Sequence, residues 1–169
     1  GNDKASIKKY LEALVRYNTF EVSIPVLRDS SLAPSGKTAL IASILFEHEL
    51  ERTIIGQGWN DEFRDFMEEL ITDQMQEIFP GIRSKITSRF SSSPETIHNM
   101  TGSTDGAIVG WAYTNPSMPV THKFSQVAKS VKTPIKDVFK AGQWSYSPAG
   151  IPIAILTGKM AAQNALKTL

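Results

Sequence analysis

Residues 133–162 contain the residue types and spacings that best suit the binding of an anionic group. They predict a short strand at residues 137–141, a turn rich in Gly, Ser and Pro, and a helix over residues 151–166. Gly150 precedes this helix, and Pro152 lies in its first turn, where proline is favoured. A helix N-terminus has unpaired N–H groups and a partial positive charge. Both suit a group that becomes anionic, such as the pyrimidine side of a reduced flavin.

The same pattern also has a purely structural explanation. Strand–glycine–helix units are common in α/β folds, where the helix covers a sheet and the glycines act only as caps. Taken alone, the residues favour this structural explanation over a cofactor site.

Two other segments begin like binding motifs but lack an essential residue. Residues 34–38 contain the Gly-Lys-Thr of a phosphate-binding loop, yet that motif needs a glycine five positions before Gly36, where Ser31 stands. A turn that leads into a strand is the preferred interpretation. His48 and Glu49 start like a zinc-protease helix, but no second histidine follows four residues after His48. Neither a nucleoside triphosphate site nor this zinc site is predicted.

The sequence carries no complete dinucleotide-binding fingerprint. Gly56 and Gly58 supply two of its three glycines, but Asp61 stands at the third position. The histidines at positions 48, 98 and 122 lack metal-ligand spacing, so we expect packed or solvated histidines and no metal.

Composition excludes several classes of function. With 169 residues, the chain is long enough for one domain with a core. Its net charge of +1 gives no basis for nucleic-acid binding. The absence of cysteine excludes disulfides and a cysteine nucleophile. No apolar run reaches the roughly 18 residues of a membrane span, so we expect a cytoplasmic location or one at the periphery of a membrane.

Hydrophobic periodicity predicts the helices. Apolar residues recur every three or four positions in residues 4–17 and again in residues 61–79. Asn60 is the expected N-cap of the second helix, and Pro80-Gly81 its stop. A short helix is expected after Ser93, with Pro94 in its first turn.

Strands are expected between these helices. Residues 20–26 alternate between apolar and polar and end near Pro25. Residues 38–46 suggest a strand buried on both faces, or a short helix, and residues 82–90 suggest a further strand. Together with residues 137–141, these segments predict an α+β fold with a mixed sheet and flanking helices.

Three short stretches in residues 133–162 bear a family resemblance: Thr133-Pro134-Ile135, Ala141-Gly142-Gln143-Trp144 and Thr157-Gly158-Lys159. They resemble the flavin-contacting motif TPI…(F/Y)xAGQW…PGGGV…A…SG(K/R)xAA of phytoene desaturase and carotenoid isomerase-like oxidoreductases, an FAD-dependent family of the amine oxidase superfamily. In one departure, Ser147-Pro148-Ala149-Gly150 replaces Pro-Gly-Gly-Gly. In another, Gln143 stands where many flavoproteins have an acidic residue. Residues 24–37 and 93–111 resemble substrate-domain segments of the same family more loosely.

The resemblance implies a division of the chain and a set of site residues. Residues 1–130 would be part of a substrate domain and residues 131–169 the C-terminal segment of an FAD domain, together forming one compact unit. We expect the chain to be a fragment, since it starts at Gly1 rather than Met and lacks the family's glycine-rich motif. The implied FAD-binding residues are Gly142, Gln143, Ala149, Gly150, Ile151 and Pro152.

The resemblance also implies an activity and partners. The parent enzyme would transfer hydride from, or isomerise, a polyene or another hydrophobic small molecule. The missing N-terminal Rossmann half would be the chain's partner, and without it the chain should not hold FAD tightly. Trp111, Tyr113 and Trp144 could line the substrate pocket or belong to the core. The alternative is a free-standing α+β interaction module without flavin, and in either case exposed apolar surface could cause self-association.

Overall fold

The computed structural model describes residues 1–111, 121–147 and 150–168, and its fold is α+β, as the sequence predicted. In these residues the α-helices are α1 (Lys4–Tyr17), α2 (His48–Gly56), α3 (Asn60–Ile78), α4 (Pro94–Thr101) and α5 (Ile151–Ala165), and the strands are β1 (Glu21–Ser23) and β2 (Ile41–Ser43). The chain forms two compact units, Gly1–Gly106 and Ala107–Leu169. The predicted division after residue 130 concerns two domains of a larger protein and stays a prediction.

Helix α1 organises the core of the first unit. The Asp3 carboxylate caps it by accepting a hydrogen bond from the Ser6 amide at 3.0 Å. Ile7, Leu11 and Val15 share one face and are buried. The core residues that pack with them are Ile54, Trp59, Phe63 and Met67. The helix predicted at residues 4–17 is confirmed.

Helix α3 matches the helix predicted at residues 61–79, shifted by one residue. Asn60 is its first residue, so the predicted capping role of Asn60 is wrong. Trp59 occupies the capping position, and its side chain makes no capping hydrogen bond because an indole N–H can only donate. Helix α4 begins after Ser93, as predicted, and the Ser93 hydroxyl accepts a hydrogen bond from the Thr96 amide.

Helix α2 lies where the sequence predicted no element. Its buried residues are Glu51 and Ile54. The Glu51 carboxylate accepts a hydrogen bond of 2.8 Å from the backbone amide of Glu95, at the start of α4. A charged residue on the buried face interrupts the apolar periodicity, which explains why the sequence does not reveal this helix.

The sheet is smaller than the mixed sheet that the sequence predicted. Strands β1 and β2 pair antiparallel, with Val22 opposite Ala42. Pro25 starts a single 3-10 turn (Pro25–Leu27), which ends β1 early. Strand β2 is not buried on both faces as predicted, because Ile41 and Ser43, which share one face, are exposed.

The strand predicted at residues 82–90 is absent from the structure. A 3-10 turn (Arg83–Lys85) and irregular backbone take its place. Arginine side chains attach this segment to α3: Arg83 pairs with Glu69 at 2.9 Å and Arg89 with Glu68 at 3.2 Å. The β-branched residues Ile86 and Thr87 are exposed and lie in irregular backbone, so they take part in no strand pairing.

The second unit contains a 3-10 helix (Phe124–Lys129) and α5, which confirms the helix predicted at residues 151–166. The strand predicted at residues 137–141 is reduced to an isolated antiparallel bridge between Phe139 and Lys132. Asp137 has a φ of +61°, a left-handed conformation that interrupts extended backbone. Among the described residues, no helix is long and apolar enough to cross a membrane.

Candidate functional site

Gly142 and Gln143, two of the predicted cofactor-binding residues, lie in a tight turn ahead of α5. Gly142 has a φ of +93°, a conformation that favours glycine. The Ser145 amide donates a hydrogen bond of 3.1 Å to the Gly142 carbonyl and closes the turn. A Cβ added at Gly142 would meet no described atom within 4 Å, so the turn leaves space beside its backbone.

Thr157 joins this turn to α5. The Gly142 amide donates a hydrogen bond of 3.1 Å to the Thr157 hydroxyl oxygen. That hydroxyl in turn faces the carbonyls of Ile153 at 2.9 Å and Ala154 at 3.1 Å, one turn earlier in the helix. Thr157 is fully buried, and it is the buried residue of α5. The turn is therefore held against the first two turns of the helix.

Gly110 and Trp111 support the turn through contacts of their own. Gly110 has a φ of +86°, and a Cβ added there would lie 2.5 Å from the Gln143 carbonyl oxygen. The Trp111 indole donates a hydrogen bond of 3.2 Å to the Trp144 carbonyl, and the two rings meet edge to face at 5.3 Å. Both rings are half-buried. They pack on each other, and their predicted place in a substrate pocket or in the core stays a prediction.

Buried polar residues hold the chain that follows the turn. The Tyr146 hydroxyl donates to the His122 carbonyl at 3.2 Å, and the Ser147 hydroxyl donates to the Trp111 carbonyl at 3.0 Å. The Ser147 amide donates to the Thr121 carbonyl at 3.1 Å. The buried hydroxyls of Tyr146 and Ser147 therefore each have a partner, which keeps the cost of burying them low.

The N-terminus of α5 is exposed and free of acidic side chains. Gly150 occupies the capping position in extended backbone, and its carbonyl accepts a hydrogen bond of 2.9 Å from the Ala154 amide. Ile151 and Pro152 form the exposed start of the helix, and the first turn contains no Asp or Glu. In the described residues, no acidic side chain of this first turn offsets the positive end of the helix dipole.

The sequence around this site is strongly basic. In residues 107–169 the acidic residue is Asp137, and the lysines are Lys123, Lys129, Lys132, Lys136, Lys140, Lys159 and Lys167. This excess of positive charge favours an anionic ligand near the second unit.

The structure brings Gly142 to the helix that Gly150, Ile151 and Pro152 begin, and Gln143 follows Gly142 in the same turn. Ala149, the remaining predicted site residue, and Tyr113, the third aromatic residue considered for the pocket, lie outside the described residues. Sequence reasoning missed Thr157 and the close approach of Gly110. A threonine directly after the apolar start of α5 (residues 151–156) was a signal, because a buried hydroxyl needs a hydrogen-bond partner.

Comparison with known proteins gives a distant relationship. The chain is 27% identical over 174 aligned residues to the 4,4'-diapophytoene desaturase (4,4'-diaponeurosporene-forming) of Staphylococcus aureus strain Newman, and equally to that of strain USA300. The alignment covers 98% of this chain and 32% of each desaturase, so the chain spans about a third of the length of these curated relatives. No family model and no solved structure matches. The similarity supports a distant relationship to phytoene desaturase-like oxidoreductases.

Proposed function

We propose that this chain is the C-terminal part of an FAD-dependent oxidoreductase that resembles phytoene desaturases, and that its second unit supplies the isoalloxazine side of the cofactor site. The observation that carries the proposal is the hydrogen bond between the Gly142 amide and Thr157. It joins an open glycine turn to a helix with an exposed, acid-free N-terminus. The distant similarity to desaturases along nearly the whole chain supports the same function.

The residues present fit one half of an FAD site. The backbone at Gly142 and Gly150 leaves space for a close approach, since a Cβ at Gly150 would meet only the Pro152 ring at 3.9 Å among the described atoms. The first turn of α5 would stabilise negative charge on a reduced flavin. The glycine-rich fingerprint that would bind the pyrophosphate is missing from this sequence. When bound, FAD supplies the hydride acceptor, and the protein positions it and excludes water.

The substrate class follows from the same resemblance. A polyene or another hydrophobic molecule would lose hydride to the flavin or be isomerised. In this chemistry the flavin would carry the redox step, and the protein would supply orientation and a dry pocket.

The proposal predicts that Gly150→Val removes FAD from the longer protein. Gly150 has a φ of −157°, extended backbone that valine tolerates, so the variant should stay soluble while its side chain blocks the start of α5. The measurement is the visible flavin spectrum of the purified longer protein. The matched control is Gly56→Val at the end of α2, where an added Cβ meets no described atom within 4 Å. A normal flavin spectrum in Gly150→Val contradicts the assignment.

A second prediction concerns this chain by itself. Because the pyrophosphate fingerprint is absent, the chain should not bind FAD with submicromolar affinity. Fluorescence titration of the purified chain with FAD measures this. Submicromolar binding would show that the chain holds a complete site.

One observation favours the alternative of a free-standing interaction module. Ile151 and Ile155 on α5 are 78% and 67% exposed, and such apolar surface suits association with another protein. The upstream reading frame separates the two hypotheses. A strand, a Gly-x-Gly-x-x-Gly turn and a helix encoded there support the enzyme, whereas a start codon just before Asn2 supports the module.

A further inference from the structure

We infer that Thr157 is a positioning residue of the proposed flavin site and that its hydroxyl sets the Gly142 turn against α5. The inference rests on the proposed function, because positioning matters only if the turn and the helix face the same ligand. Thr157 itself is fully buried and acts through Gly142.

The hydrogen bonding of Thr157 exceeds what a helix requires. A threonine inside a helix commonly donates to a carbonyl one turn earlier, which satisfies its proton. Thr157 does this toward Ile153 and Ala154 at 2.9 and 3.1 Å. Its oxygen also accepts the Gly142 amide at 3.1 Å, so one hydroxyl links two segments of chain.

The turn is also supported by a contact independent of α5. Gly110 lies against the Gln143 carbonyl so closely that a Cβ would come within 2.5 Å of the oxygen. The Trp111 indole donates a hydrogen bond of 3.2 Å to the Trp144 carbonyl. Loss of the Thr157 hydroxyl should therefore loosen the attachment to α5 while these contacts maintain the turn itself.

Two variants separate the hydroxyl from the bulk of the side chain. Thr157→Val keeps the shape and removes the hydroxyl, and Thr157→Ser keeps the hydroxyl and removes a methyl group. In this chain, NMR-detected hydrogen exchange of the Gly142 amide should be about tenfold faster in Thr157→Val, the effect of one lost hydrogen bond, and close to wild type in Thr157→Ser. The Ser147 amide, which donates to Thr121, is the internal control. Unchanged exchange at Gly142 in Thr157→Val overturns the inference whether or not FAD binds.

The longer protein provides a flavin readout. Thr157→Val should weaken FAD binding about tenfold and, at saturating FAD, shift the visible flavin spectrum and the reduction potential. Thr157→Ser should match wild type in all three measurements. If wild type binds FAD and Thr157→Val changes none of them, the positioning role is wrong and the proposed function stands. A third outcome is that wild type binds no FAD while Thr157→Val still speeds hydrogen exchange at the Gly142 amide. In that case the hydrogen bond exists, but the proposed function fails, and the positioning role fails with it.

Discussion

Gly106 and Gly110 show at the scale of single residues how close backbone approaches depend on glycine. Gly106 has a φ of +65°, and a Cβ there would overlap the carbonyl of Pro94. Gly110 makes the corresponding approach to the Gln143 carbonyl in the second unit. Both positions combine left-handed backbone with a backbone neighbour that has little freedom to move aside, so steric contact adds to conformational strain.

Gly106→Ala should lower the free energy of unfolding of the first unit by more than about 2 kcal/mol, because strain and overlap act together. Gly58→Ala tests the backbone strain alone, because Gly58 has a φ of +75° and an added Cβ meets no described atom within 4 Å. We expect it to lower the free energy of unfolding by about 1 kcal/mol. Gly56→Ala, in helical backbone, should be neutral or stabilise by up to about 1 kcal/mol. Urea denaturation followed by circular dichroism measures all three. Equal losses for Gly106→Ala and Gly58→Ala contradict the close contact.

At the scale of elements, residues 82–91 are attached to α3 by side-chain ion pairs rather than by the backbone hydrogen bonds of a strand. Arg83 and Arg89 both pair with Glu69 on α3. The Arg89 guanidinium also donates to the Thr72 hydroxyl at 3.2 Å. Glu69 accepts hydrogen bonds from both arginines, and these hold the pKa of its carboxyl below the usual value. The effect of Arg89 is the larger and that of Arg83 the smaller.

This ion pairing predicts that the attachment of residues 82–91 to α3 weakens in acid. A lowered carboxyl pKa in the folded state adds stability above the unfolded-state pKa near 4.5, and that stability is lost as the pH falls through the folded-state value. Glu69→Gln should therefore lower Tm at pH 7, and its difference from wild type should shrink below pH 4.5. Glu77→Gln, at an exposed position of the same helix, is the control. A difference that stays constant with pH would show that Glu69 contributes through something other than its charge.

At the scale of the whole molecule, the second unit buries little large apolar surface. Its buried hydrophobic residues among those described are Val127, Val131 and Tyr146. Ile151 and Ile155 on α5 and Leu166 directly after it are instead 78%, 67% and 71% exposed. An exposed apolar helix face favours association, either with further chain of the same protein or with a second copy.

We predict that the isolated chain self-associates through α5 and that Ile155→Glu weakens this association. A charge on the exposed face opposes burial at an interface, and the fold itself should be unaffected because Ile155 is exposed. Sedimentation velocity over a range of concentrations measures the oligomeric state. Gln163→Glu adds the same charge at an exposed polar position of the helix and should leave association unchanged. Unaltered association in Ile155→Glu places the interface elsewhere.

The sequence by itself determined the features that depend on near neighbours. The apolar spacing of Ile7, Leu11 and Val15 predicted α1, and Ser93 with Pro94 predicted the start of α4. Proline and glycine near Gly150 likewise predicted the start of α5. Helical periodicity and capping involve residues within about four positions, so they can be inferred without the fold.

Only the tertiary structure decided which distant residues meet. Residues 82–90 lack a strand because their arginines reach acids on α3, and α2 was missed because the buried carboxylate of Glu51 bonds to the amide of Glu95. In the candidate site, the sequence predicted the Gly142 turn and the start of α5, and the structure supplied Thr157 and Gly110, which hold the turn. Strand pairing and the partners of buried polar groups depend on chain segments far apart in sequence, which local patterns do not encode.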